Sequence, residues 1–272
     1  MLSSQSLNQL KITVAGCGDM GLPMAKALIA SGYRVGGFDI KEKSEFGDFA
    51  AQMIEDSTLV KNETDVLISV VRDEKQTDAL LFDEQAIFRS VSHPSYLVIS
   101  STLSPNYIAD LATRLPQTVQ LIDAPMSGAV MAAEKASLTF MIGGNAAAKQ
   151  KLKPLFEAMG ETLFDMGQLG AGMTAKVMNN YITAAAAVAT RQTLDRAQEL
   201  GVEPAKLLEV IHASSGQNWF ASNFEEIYWS AQNYEPSNTM GILEKDVRSS
   251  LAPFEGRQSE LDAAILNHLK NL

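Results

Sequence analysis

Short apolar runs and amphipathic stretches take turns along the first part of the chain. KITVAG from Lys11, YRVGGFDI from Tyr33, TDVLISVV from Thr64 and SYLVIS from Ser95 are each about as long as a strand buried on both faces of a sheet. TVQLIDAP from Thr118, SLTFMIGG from Ser137 and ETLFDMG from Glu161 continue the series. Between them lie helical patterns. One runs through Met24, Ala27 and Leu28 and stops at Gly32; a second is SPNYIADLATRL; a third is NAAAKQKLKPLFEAMG, with Asn145 as its N-cap and Gly160 as its stop. Alternating strands and helices predict an α/β domain with a doubly wound, mostly parallel sheet. After about Gly167 the strand signals vanish. A long helix is expected from Met173 to Leu200, closed by Gly201, with shorter ones around Pro204–His212, Ile242–Leu251 and Leu261–Leu269. The pattern therefore predicts a sheet domain over residues 1–167 and an all-helical domain over residues 168–272, joined by the long helix.

Composition narrows the class. The chain has 272 residues, 46% hydrophobic and 20% charged, which suits a soluble globular protein of two domains. A net charge of -10 argues against a nucleic-acid partner, which needs a clustered basic face. The single cysteine, Cys17, cannot form an intramolecular disulfide and fits a reducing compartment. The opening MLSSQSLNQLK lacks the basic segment and apolar run of a leader, and no apolar run approaches the roughly 20 residues that span a bilayer. A cytoplasmic protein without a membrane partner is the expectation.

The turn after the first strand reads GCGDMG from Gly16. It follows a strand and opens a helix, the context that the Rossmann-type dinucleotide fingerprint requires. Its glycines allow a tight turn, close approach of a pyrophosphate and close helix–strand packing, and the helix N-terminus offers unpaired N–H groups and partial positive charge. Gly16, Gly18, Asp19 and Met20 are thus candidate cofactor contacts. Asp39 ends the second strand about 20 residues on, where an acid binds a ribose 2′-hydroxyl and repels a 2′-phosphate. NAD is favoured over NADP, although Lys41 and Lys43 lie near enough to blur the choice. Asp19 either caps the helix and points outward or faces the phosphate site and weakens binding. Cys17 reads as a small turn residue.

Five stretches in order resemble the β-hydroxyacid dehydrogenase family, whose nucleotide domain is of the 6-phosphogluconate dehydrogenase type. They are GCGDMGLPMA from Gly16, STLSP from Ser101, DAPMSGA from Asp123 with LTFMIGG following, GAGMTAKVMNN from Gly170, and the pair Lys245–Asp246. The resemblance implies an NAD(P)-dependent oxidoreductase that moves a hydride between nicotinamide and a small β-hydroxy acid or its aldehyde acid. It makes Lys176 the general acid/base. Asn180, four residues on, shares its helix face and orients the reacting oxygen or the lysine. Asn179 lies about 100° away around the helix and serves packing or a backbone contact. A lysine suits proton transfer when a partly desolvated cleft lowers its pKa toward neutrality. Ser127, Gly128 and Ala129 are implied to hold the substrate carboxylate through a hydroxyl and a backbone nest. Ser101 is implied to approach the substrate, Thr102 and Lys245 the nicotinamide, and Val71 and Arg72 the cofactor. Asp246 is read as a structural partner.

The chain departs from the family pattern in three places. Ala129 stands where a second glycine is usual, and alanine resists positive φ. Val71 and Arg72 replace Leu-Pro; Arg72 either stacks near the adenosine or bridges to a phosphate, or is simply solvated. The chain stops soon after Leu251, so the helical domain is read as shortened. The family implies a homodimer or higher homo-oligomer built through that domain. Trp219 and Phe220 belong either to the substrate pocket or to the helical core. No HExxH or CxxC spacing supports a metal site, and His93, His212 and His268 sit in no nucleophile motif.

Overall fold

The structure, a computed structural model, describes residues 9–227 and 229–272. Residues 1–8, on which the expectation of no leader partly rests, lie outside the described residues. Two compact units divide between Lys176 and Val177.

The first unit begins with β1 (Lys11–Ala15), α1 (Gly21–Ala30), β2 (Arg34–Phe38), β3 (Met53–Ile54), α2 (Ser57–Glu63), β4 (Val66–Ser69) and α3 (Glu74–Leu81). It continues with β5 (Tyr96–Ile99), α4 (Pro105–Arg114), β6 (Gln120–Asp123), β7 (Met126–Ser127), α5 (Ala129–Glu134), β8 (Leu138–Gly144), α6 (Ala146–Met159) and β9 (Gly160–Gly167). The sheet order is β3-β2-β1-β4-β5-β6-β8-β7, with β9 on the free side of β8. The first six of these strands are parallel, β8 runs antiparallel to β6 and β7, and β9 is parallel to β8. This is the doubly wound, mostly parallel sheet that the apolar runs predict.

Successive side chains on a strand point to opposite faces, and here each face has its own core. Ile12, Val14, Val66, Ile68 and Val98 pack with Met24 and Leu28 of α1 and with Leu152 and Phe156 of α6. Ala15, Leu67, Leu97 and Ile99 pack with Leu80 and Leu81 of α3 and Ile108 and Leu111 of α4. Continuous apolar runs follow from burial on both sides.

Helix ends agree with local chemistry. Ser104 caps α4 by accepting from Tyr107 N, with Pro105 in the first turn, and Asn145 caps α6. Gly32 and Gly201 close their helices at φ +86° and +82°. Gly160 ends α6 as its C-cap, and it does more than that. Its backbone is extended and already belongs to β9, and a Cβ there would lie 2.2 Å from the Leu138 carbonyl oxygen. It lets β9 approach β8. The pattern also missed β3 and β7, each two residues long, too short to show a period.

The second unit is helical, as predicted. It takes most of α7 (Ala171–Glu199), then α8 (Pro204–His212), α9 (Trp219–Ser222), α10 (Thr239–Leu251) and α11 (Glu260–Lys270). Ala184, Ala187 and Val188 of α7 pack with Phe220, Trp229, Met240, Leu243, Val247, Ile265 and Leu269. Phe220 is therefore core, edge-on to Phe224, whereas Trp219 is 59% exposed.

Candidate active site

The glycine turn at the carboxyl end of β1 separates three requirements. Gly16 has φ +90°, and a Cβ would lie 2.8 Å from the Val70 carbonyl carbon. At Gly21 a Cβ would lie 2.0 Å from the Gly16 carbonyl oxygen. Those two glycines are demanded by the protein's own packing. Gly18 is different: a Cβ there meets nothing within 4 Å. Internal packing does not require a glycine at that position, whereas close approach of a pyrophosphate does. No side chain caps α1, so its positive end is available to an anion. Asp19 is exposed and makes no cap; Met20 holds the N-cap position and is half-buried.

Asp39 follows β2 directly. Its Oδ2 accepts from Cys17 N at 2.7 Å and its Oδ1 from Lys41 N at 3.1 Å. A carboxylate offers about four lone-pair sites, so capacity for a ribose hydroxyl remains. Lys43 is engaged by Glu55 at 3.8 Å. These features fit a dinucleotide carrying a free 2′-hydroxyl. Cys17 is buried, and its thiol is pushed up to about 12, first by burial and then by Asp39. That makes it an inert turn residue.

Further along the same sheet edge, Val71 is half-buried and Arg72 exposed, and Arg72 N donates to Gln76 Oε1 at 3.0 Å. Asp73, in this atypical Val-Arg-Asp stretch, caps α3. After β5, Ser101 is buried, with Oγ 3.4 Å from the Ser69 carbonyl oxygen, and Thr102 is half-buried.

The loop from β7 into α5 holds Ser127, half-buried, then Gly128 at φ +132° and Ala129 at φ +55°. Alanine stands here with positive φ. It takes the left-handed backbone in spite of its Cβ, a strained choice of the kind found at functional sites.

The long helix carries the charged chemistry. Lys176, near its start, is only 8% exposed. The opening of the helix is held by a residue of the DAPMSGA stretch to which the resemblance assigns no role. Asp123, the last residue of β6, is wholly buried; its Oδ1 accepts from Gly170 N at 2.8 Å and its Oδ2 from Met173 N at 2.6 Å. The available signal was an acid ending a strand as apolar as QLID. Burial raises the pKa of Asp123, and the helix N–H groups of Gly170, Met173 and Gly172 oppose that rise only in part.

The second unit has its own polar cluster. Asn180 accepts from Asn179 Nδ2 at 3.2 Å and donates to Asp246 Oδ2 at 2.6 Å. Asn179 thus makes a side-chain contact beyond packing. Asp246 is 1% exposed, and Lys245 Nζ stands 2.8 Å from its Oδ1, an ion pair whose angles do not make a hydrogen bond. Among the described residues no group of acidic, histidine or cysteine side chains could hold a metal ion. No described helix is long and apolar enough to cross a membrane.

Residues 11–167 match the family described as the NAD binding domain of 6-phosphogluconate dehydrogenase. Residues 170–272 match the NAD-binding domain of NADP-dependent 3-hydroxyisobutyrate dehydrogenase. The chain belongs to the β-hydroxyacid dehydrogenase family. It is a nicotinamide-dependent oxidoreductase that uses NAD, with NADP also compatible with the family. An NAD-dependent L-serine dehydrogenase of Pseudomonas aeruginosa is 33% identical over 215 residues, 77% of this chain and 71% of that protein. Human mitochondrial 3-hydroxyisobutyrate dehydrogenase is 29% identical over 241 residues, 85% of this chain and 72% of that protein. Among solved structures, a Mycobacterium tuberculosis 3-hydroxyisobutyrate dehydrogenase with L-serine superposes at a TM-score of 0.80. It is 24% identical, covering 96% of this chain and 93% of that one. At that identity the likeness speaks for the fold.

Proposed function

We propose that this dehydrogenase oxidises a small β-hydroxy acid whose hydroxymethyl group is borne by the carbon next to the carboxylate, as in L-serine and 3-hydroxyisobutyrate. Lys176 is the general base and NAD the preferred acceptor. The observation that carries the reading is the burial of Lys176 near the start of the helix. Desolvation disfavours an ammonium and makes a lysine a usable proton carrier.

In oxidation Lys176 Nζ takes the proton of the substrate hydroxyl, and in the reverse direction it returns that proton to the carbonyl oxygen. Asn180 orients the reacting oxygen, with its amide fixed by Asn179 and Asp246. Ser127, Gly128 and Ala129 receive the carboxylate through a hydroxyl and successive backbone N–H groups, and Ser101, after β5, approaches the substrate. Gly16, Gly18 and Met20 carry the pyrophosphate and Asp39 the ribose. Asp19 lies beside that phosphate site. Val71, Arg72 and Thr102 complete the cofactor's surroundings. Bound NAD supplies the hydride acceptor.

The test is nicotinamide absorbance with L-serine and 3-hydroxyisobutyrate, with NAD and NADP in parallel, for the wild type and Lys176→Ala. Turnover with NAD is expected, and the variant should lose about 10²- to 10⁴-fold in kcat, the usual worth of a general base. A Lys176→Ala enzyme of wild-type kcat would sink the assignment. NAD binding without turnover on either acid would point instead to a dinucleotide-binding sensor.

A further inference from the structure

We propose that Asp123 is a positioning residue for the reaction: its buried carboxylate grips the opening turn of α7 and so sets where Lys176 stands. The inference rests on the reading of Lys176 given above.

A carboxylate without solvent must be satisfied by its neighbours. Oδ1 of Asp123 accepts from Gly170 N and Oδ2 from Met173 N. The grip therefore has two points, three residues apart, and constrains both the height and the rotation of the turn. Negative charge at a helix N-terminus is also favourable.

The surroundings leave the carboxylate no slack. A Cβ at Gly143 would lie 2.4 Å from Asp123 Oδ1, and one at Gly172 would lie 3.0 Å from Asp123 Oδ2 and 2.2 Å from the Met141 carbonyl oxygen. Strand β8 and the helix both press backbone against it. A second tie holds the same turn: Leu103 N donates to Met173 Sδ at 3.2 Å, so the segment after Ser101 and Thr102 is fastened there too. Lys176 follows Met173 by three residues, a rise of about 4.5 Å. Any slip or twist of the turn carries the backbone of Lys176, and so the root of its side chain, with it. A misplacement of about 1 Å can cost about 10²-fold in rate.

Asp123→Asn keeps the shape and one acceptor but puts an NH₂ where an acceptor is needed. It is measured with Lys176→Ala and the double variant, using NAD with L-serine and 3-hydroxyisobutyrate; circular dichroism and NAD affinity monitor folding. The expected result is a kcat lower by about 10- to 100-fold, with KM and NAD affinity within about twofold. In the Lys176→Ala background the same substitution should change the residual rate by less than about twofold, since an effect exerted through Lys176 has nothing left to act on. Asp123→Ser, smaller and still an acceptor, should repeat the kcat-selective loss. Unchanged kcat, an equal loss in both backgrounds, or failure of both variants to fold would overturn the proposal. A Lys176→Ala enzyme with normal turnover would instead strike the acid/base reading. An inactive Lys176→Ala enzyme beside an unaffected Asp123→Asn enzyme would strike the positioning role alone.

Discussion

At Ala129 a single methyl group sits on a backbone that prefers none. Its φ of +55° is shared by Ala136 at +52°, just beyond the other end of α5. The left-handed conformation costs an L-residue about 1–2 kcal/mol, and glycine returns part of that through a freer unfolded chain. Ala129→Gly should therefore raise the stability of the first unit by about 1 kcal/mol in a urea titration, and Ala136→Gly by a similar amount. No gain in either would show the backbone to be unstrained. The substitution of alanine for glycine was legible in the sequence; the positive φ was not, because φ is set by how β7 and α5 are joined. Asp39 was legible because its chemistry follows from its place at a strand end. Asp123 was not, because its role depends on a helix that begins nearly fifty residues later and packs back onto it.

Element by element, the helical unit relies on ends as much as on faces. Asp262 takes part in the capping box of α11 with Ser259 and also accepts from Tyr181 Oη at 2.6 Å. The Tyr181 hydroxyl is the main reason its carboxyl lies below the usual range, followed by the Ser259 backbone N–H. A depressed folded pKa contributes stability that is present above the unfolded value, about 3.9, and is lost as pH falls through the folded value. Tyr181→Phe should therefore cost about 1 kcal/mol at neutral pH, and its deficit relative to wild type should narrow as the solution is acidified. Both tryptophans, Trp219 and Trp229, belong to this unit, so their fluorescence reads the experiment directly. A deficit that is constant across pH would remove Asp262 from the account.

For the whole molecule, cofactor and stability are linked. A ligand that binds only the folded state at a hundred times its Kd stabilises by about 2.7 kcal/mol. NAD at that concentration should raise the unfolding free energy by about 2.7 kcal/mol, and with it the midpoint, in a urea titration followed by far-ultraviolet circular dichroism. A midpoint that ignores NAD would contradict the cofactor site built around Gly18 and Asp39. The same titration followed by fluorescence reports the helical unit separately.

The sequence by itself determined the class of fold, the place of the nucleotide turn and the family. Those depend on local rules: strand-length apolar runs, a Gly-rich turn between a strand and a helix, an acid at the next strand end, and motifs in order along the chain. Only the tertiary structure showed which glycines serve packing and which one faces open space, that Phe220 is core while Trp219 is not, and that Gly160 belongs to a strand. It alone tied Asp123 to Gly170 and Met173, and Asn180 to Asp246. Each of these joins residues far apart in the chain, and such contacts are decided by which surfaces pack together, information that no local window of sequence contains.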